Sequence, residues 1–248
     1  MKRTWLLAGL LACVQVVGAQ EAGLQMKLDR HMLTEGFLVA HPDIRWQREG
    51  MNSFELGRYE MAMKQFRRAA LHADKLSQAM IANMYWEGHG VAVDRPLAYA
   101  WMDIAAERAY PSLVRFREVY WAELDRGERE DALVRGREIL HEYGDAVAKP
   151  RLERVMARER RRGTGSRTGA SLGMLRVIPM TGPGKNAGFG ELNLQAANFI
   201  RGDEYFADEY WKPEAYWRMQ DEMWEAPNRE GHVDVGAPVT VPHGDRDK

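Results

Sequence analysis

Two alanine pairs, Ala69-Ala70 and Ala105-Ala106, are each preceded by another alanine, Ala62 and Ala98, so that one small-residue pattern recurs on the chain at an offset of 36 residues. Self-similarity at a period of 20 to 50 residues is the mark of a solenoid, whose units bury their apolar faces against one another. The second unit is the clearer one. Ala79, Ala82 and then Tyr85 or Trp86 fall three or four apart, and Ala98, Trp101 and Ala105 repeat that stripe further on. Both spacings predict one apolar face of a helix. Between them, Gly88 and Gly90 suit the positive φ that follows a helix end, while Asp94 is placed to cap the next helix and Pro96 fits its first turn. Small residues let paired helices approach closely, and Tyr85 and Trp101 fill the space between neighbouring pairs.

At Ala79, Tyr85, Gly88, Gly90, Val91, Asp94, Ala98, Trp101, Ala105 and Ala106 the segment resembles the Sel-one-like repeat family, a relative of the tetratricopeptide repeat. The resemblance covers one good unit with a poorer one on each side. Upstream, Leu56 to Ala70 reads as the second helix of an earlier unit, with Gln65 where the pattern has tryptophan and Phe66 one step later. Downstream, Ser112 to Leu124 carries Phe116, Tyr120 and Trp121 at first-helix spacing, but Asp125 to Arg129 lacks the glycine loop. This is a degenerate unit or a cap, as expected at the end of such an array.

The first nineteen residues read as a signal peptide, with Lys2 and Arg3 ahead of an apolar run and Val17-Gly18-Ala19 as the cleavage site. A lipoprotein site at Cys13 is the weaker alternative, because Leu11 is bulkier than the residue usual there. Cleavage after Ala19 removes the only cysteine and leaves no disulfide, thiol nucleophile or thiolate metal site. Without Lys2 and Arg3, 33 basic residues face 36 acidic ones, a net charge of −3, which argues against a general nucleic-acid binder.

Charge is unevenly placed. From Lys149 to Arg162, seven basic residues accompany a narrow apolar stripe of Leu152, Val155, Met156 and Ala157, the pattern of a basic helix that caps the array. Its outer face is either simply solvated or a site for an acidic partner or an anionic membrane surface. Residues 163–202 read as a glycine-rich extended linker in which Leu172, Met174, Leu175, Val177 and Ile178 form one short strand or dock on the helices. A phosphate-binding loop at Gly182 to Lys185 fails, because Pro179 and Asn186 stand where glycine and Ser or Thr are needed. Residues 203–226 hold Tyr205, Phe206, Tyr210, Trp211, Tyr216, Trp217 and Trp224, with a helix from Pro213 to about Trp224. Such rings either dock on the repeats or make a contact patch. Asp203 to Lys248 carries a local charge of −7, which suggests pairing with the basic helix.

Catalytic patterns are missing. The seven histidines form no zinc motif, and no nucleophile elbow surrounds Ser166 or Ser171. The expectation is therefore an all-α protein: a short solenoid of antiparallel helix pairs over 45–162, preceded by a lead-in over 20–44, followed by the linker and aromatic helix, and ending in a disordered tail over 227–248. It is expected to be exported, to the periplasm or beyond, without catalytic residues, cofactor, metal or membrane span, and to bind another protein or a peptide. Trp86, His89, Tyr99, Arg108 and Arg115 are the candidate exposed contacts. A cell-envelope hydrolase with an unrecognised site, or a peripheral protein held on an anionic surface, are the alternatives.

Overall fold

The computed structural model describes residues 34–164, 175–177 and 199–225. The signal-peptide reading, Cys13, Ser166, Ser171, the attempted phosphate loop and the tail beyond Glu225 lie outside the described residues. The architecture is all-α, with helices packed in adjacent pairs and one two-stranded ribbon. The helices of the array are α1 (Glu35–Ala40), α2 (Pro42–Glu55), α3 (Tyr59–Ala70), α4 (Lys75–Glu87), α5 (Arg95–Ala105), α6 (Pro111–Glu123), α7 (Arg126–Tyr143) and α8 (Asp145–Thr164). Arg176–Val177 (β1) pairs antiparallel with Ile200–Arg201 (β2), and α9 (Gly202–Tyr205), α10 (Asp208–Trp211) and α11 (Pro213–Glu225) close the described chain.

Boundaries follow local chemistry. Asp74, Asp94 and Asp125 each accept a hydrogen bond from a backbone N–H three residues on, at 2.7, 3.1 and 2.8 Å, satisfying first-turn donors that no helical carbonyl can reach. Pro42, Pro96 and Pro111 occupy first-turn positions where a missing N–H costs nothing. Gly88 ends α4 at φ +80, and a β-carbon on Gly90 (φ +71) would run into Tyr59.

The pairs α2/α3 and α4/α5 stack on each other, and Ala62, Ala69, Ala70, Ala98, Ala105 and Ala106 are all buried between them. Ala62 and Ala98 belong to one core, as the repeat requires. Phe66 is fully buried in place of the tryptophan, while Gln65 is half-buried. Ala79 is half-buried rather than central, and Tyr85, at the edge of α4, accepts a hydrogen bond from Arg67 at 2.6 Å across the gap between pairs.

The third unit departs from the pattern. Its connection is Leu124 and Asp125, against Gly88 to Asp94 in the unit before, and α7 does not turn back along α6 as α5 does along α4. It lies along α5 instead, where Gly136 brings the backbone against Ala100 and Arg135 reaches the capping Asp94 at 2.6 Å.

A second core joins the two ends of the described chain. Phe37, Ala40 and Ile44 pack with Ala148, Leu152 and Met156 of α8 and with Ile200, Tyr205, Phe206, Tyr210, Trp211, Tyr216 and Trp217. The aromatic segment thus docks on helices, and α11 spans Pro213–Glu225 as the sequence suggests. Two expectations need correction. Residues 163–202 are not a linker throughout: α8 runs to Thr164, Val177 pairs in β1, and Ile200 is buried in the second core. The basic helix starts at Asp145, and its inner stripe uses Ala148, because Ala157 faces solvent.

Candidate functional site

Three of the five candidate contacts are structural. Trp86 is 6% exposed, its ring stacked on Tyr120 at 3.9 Å with Arg95 over the other face. Tyr99 is buried against Trp121 at 4.8 Å. The Arg108 side chain is 7% exposed and forks onto Asp145 at 2.7 and 3.1 Å while lying over the Trp217 ring. Trp86 and Tyr99 lie on helices of the stack whose neighbour α6 covers them, whereas Arg108, in the turn after α5, is covered by α8 and the closing segment. His89 is half-buried, stacked on Tyr59 at 5.0 Å, and only Arg115 stands exposed. The five do not form one patch.

The polar chemistry that sequence reading missed lies along a buried seam between the repeats and the closing segment. Lys75 opens α4 with its side chain wholly buried; its ammonium donates to Glu107 at 3.0 Å, the Ile104 carbonyl at 2.8 Å and Gln78 at 3.2 Å, and is ion-paired with Asp145 at 2.9 Å. Burial pushes the Lys75 pKa down, against the pull of Asp145. Burial alone would push Asp145 up, but hydrogen bonds from Arg108 and the charge of Lys75 outweigh it and hold the carboxyl at about 2.

Next to this ion cluster sits a group without a cation. Asp43 Oδ2 accepts from the Tyr216 hydroxyl at 2.5 Å and from Gln220 at 3.4 Å, and its Oδ1 has no hydrogen-bond partner. Burial pushes the Asp43 carboxyl up to about 7, and the charge of Asp74 adds to the shift. Asp74, bonded by Ser77 and by Gln47 at 3.1 Å, is itself raised by burial to about 6. His41 places one ring nitrogen 2.9 Å from the Phe37 carbonyl and the other 2.8 Å from the Tyr210 carbonyl. Burial lowers its pKa to about 4, so the ring is neutral and donates to one of the two carbonyls. Asp43, Asp74 and His41 are all buried, so none of them is open to a substrate, and each ties one element to another.

No periodic signal marks these residues. Asp43, Lys75 and Asp145 occupy helix starts, where charged residues are ordinary, and only the ring-rich segment hinted that something must cover it. Tyr110 and Trp224 complete the closure, their rings stacked at 5.0 Å, with the Tyr110 hydroxyl bonded to Asp221.

One open surface lies on α7. Leu133, Val134 and Leu140 point outward, and at the corner with α8 a shallow depression of about 570 Å³ is lined by Arg137, Glu138, His141, Glu142, Val147 and Arg151. Among the described residues no three His, Cys, Asp or Glu side chains are grouped to hold a metal, and no helix is long and apolar enough to cross a membrane.

Fold and surface together define an all-α protein of stacked helix pairs closed by an aromatic segment. Compared with known proteins, the chain matches no family model, no curated protein and no solved structure.

Proposed function

We propose that this chain is an exported, non-enzymatic helical-repeat protein of the Sel-one-like type that acts as an adaptor, presenting a surface to another protein or a peptide. The observation that carries the reading is the contrast between its two kinds of polar chemistry. The carboxyls of Asp43 and Asp74, raised by burial, are sealed inside, whereas Leu133, Val134 and Leu140 stand exposed on α7, the helix that also lines an open depression with charged walls. Exposed apolar residues framed by charges are the usual composition of a protein-binding face. Export follows from the basic start and apolar run before Ala19.

The hydrolase alternative needs reactive groups in contact with solvent, and Asp43, Asp74 and His41, whose pKa values burial shifts, are closed to it. The anionic-surface alternative draws support from Arg154, Arg158 and Arg162, exposed on the outer turns of α8, although Glu159 engages Arg158 at 2.8 Å and Arg162 at 3.2 Å. Crosslinking pull-down from an envelope fraction, comparing wild type with Leu133→Asp and Leu140→Asp, tests the adaptor reading. Specific capture that both substitutions abolish is expected. Unchanged capture would move the partner surface elsewhere, and salt-sensitive sedimentation with anionic vesicles would favour α8.

A further inference from the structure

We infer that α11 is a latch on the edge of the array, shut while the Asp43 carboxyl carries a proton and released when it gives the proton up, with α9 and α10 staying in place. The inference goes beyond the adaptor reading and does not depend on what α7 binds.

α11 is built as a separable piece. Tyr216, Trp217, Gln220, Asp221 and Trp224 recur at helical spacing and lay one face of the helix across the array, from Asp43, the second residue of α2, to Tyr110, which precedes α6. Lys212, one exposed residue with extended backbone, is all that joins α11 to α10. Behind that joint the closing segment is seated by other contacts. Ile200, Phe206 and Trp211 are buried in the second core, Phe37 meets the Tyr210 and Trp211 rings edge-on, and His41 reaches the Tyr210 carbonyl. A single-residue joint beside a seated element is where a hinge motion is absorbed.

What lies under the latch is a carboxyl without a counter-charge. Asp145, also at a helix start, is matched by Lys75 and Arg108. Among the described residues Asp43 is in no ion pair: it is 1% exposed and has the Tyr216 hydroxyl, the more distant Gln220 and an Oδ1 that no hydrogen bond reaches. The groups around it do not compensate. His41, at the start of the same helix, is neutral and rests against the Tyr216 ring at 5.1 Å, the charge of Asp74 at the start of α4 opposes ionisation, and on α8 Lys149 and Glu153 engage the Trp217 ring. An ionised Asp43 therefore needs water, which it meets when α11 swings away; a protonated one does not.

The sign of the pH effect follows. Shut, the carboxyl is raised to about 7 by burial; released, it returns to its ordinary value of about 4. Between those limits each pH unit costs the closed form a factor of about ten, and above them, where the carboxyl is ionised in both forms, the fall ends.

The test is amide hydrogen exchange of the full chain, read by NMR as protection relative to the free-peptide rate, from about pH 5 to pH 8. Protection over Tyr216 to Trp224 is expected to lie at least about tenfold below that of α3 and α5, to fall about tenfold per pH unit, and to level off near pH 7. Asp43→Asn, neutral at every pH and close in shape, is expected to remove the slope from α11. If that variant does not fold, the carboxyl carbon of Asp43 in the wild type decides, because its titration midpoint must coincide with the pH at which α11 protection levels off. Protection in α11 equal to that of α3 and α5 at every pH would mean that α11 leaves only with global unfolding. That result, a wild type without slope, a slope that survives Asp43→Asn, or an Asp43 midpoint in the ordinary carboxylate range overturns the inference.

Discussion

Ala73 and Ala109 adopt the same left-handed backbone conformation, φ 63 and φ 56, at the same station of consecutive helix pairs, each three residues beyond its alanine pair. The repeat is therefore a repeat of backbone as well as of side chains, and it places alanine where glycine is the easier residue.

Ala109 is exposed, so its methyl group has nothing to pack against. Glycine there relieves roughly 1–2 kcal/mol of left-handed strain and loses about 0.4–1 kcal/mol to the greater freedom of the unfolded chain. Ala109→Gly is expected to stabilise the fold by about 0.5–1 kcal/mol in urea unfolding. Ala73 is buried, and its glycine variant gains less. A clear loss at Ala109 would contradict the assigned conformation.

Gly50 is the close-approach point between α2 and α3: a β-carbon there would sit 2.6 Å from the Phe66 ring. Gly50→Ala is expected to cost about 2 kcal/mol by overpacking. Combining it with Phe66→Leu should cost less than the sum of the two single changes, since the ring is what the methyl group meets. Strict additivity would mean that α2 and α3 do not meet at this point.

Stability should fall as pH rises from about 4 to 6. The sign follows from proton counts. In that window the folded chain holds protons on Asp43 and Asp74, raised to about 7 and about 6, whereas the unfolded chain holds one on His41, whose folded value is about 4. The two carboxyls lose stability as pH rises, and His41 gains it. Among these three groups the native state binds one proton more, which contributes a slope of about 1.4 kcal/mol per pH unit. Asp43→Asn removes one of the two carboxyls and is expected to flatten the profile. Melting temperature measured at fixed ionic strength distinguishes the cases, and a wild type more stable at pH 6 than at pH 4 would refute the assignment.

Salt should do little to the closing segment. Two of its ion pairs, Arg201 with Asp203 and Lys212 with Asp208, are internal to it, and its hold on α8 includes apolar contact with Leu152 and Met156 and the Trp217 ring, which lies beneath Lys149 and donates to Glu153 at 2.9 Å. At about 0.5 M salt, surface charges are screened within a few ångströms, yet tryptophan fluorescence is expected to remain that of buried indoles. A red shift on adding salt would show that opposite net charges hold the segment in place.

Much of the first core was legible before any coordinates. Ala62, Ala98 and Trp101 announce a face by spacing alone, and Gly88 and Asp94 announce a loop by chemistry that acts within a few residues. The candidate contacts were less legible. Trp86 and Tyr99 look like binding residues because they are large, and Arg108 because it is charged, but exposure depends on which helix lies next door. Here α6 covers Trp86 and Tyr99 with Tyr120 and Trp121, and α8 and α11 cover Arg108 with Asp145 and Trp217. The outward face of α7 was not legible either, since Leu133, Val134 and Leu140 read as core residues in any amphipathic helix.

What the amino-acid order determined alone was the local and the periodic: helix starts at aspartate and proline, a left-handed exit at Gly88, and a unit that returns after 36 residues. These depend on interactions a few residues long. What only the tertiary structure decided was the closure, with Asp43 meeting Tyr216 and Lys75 meeting Asp145. Such pairings join residues far apart in the chain, and their energetics depend on the water that folding removes. A buried carboxyl or ammonium takes its charge state from neighbours that no stretch of sequence places beside it.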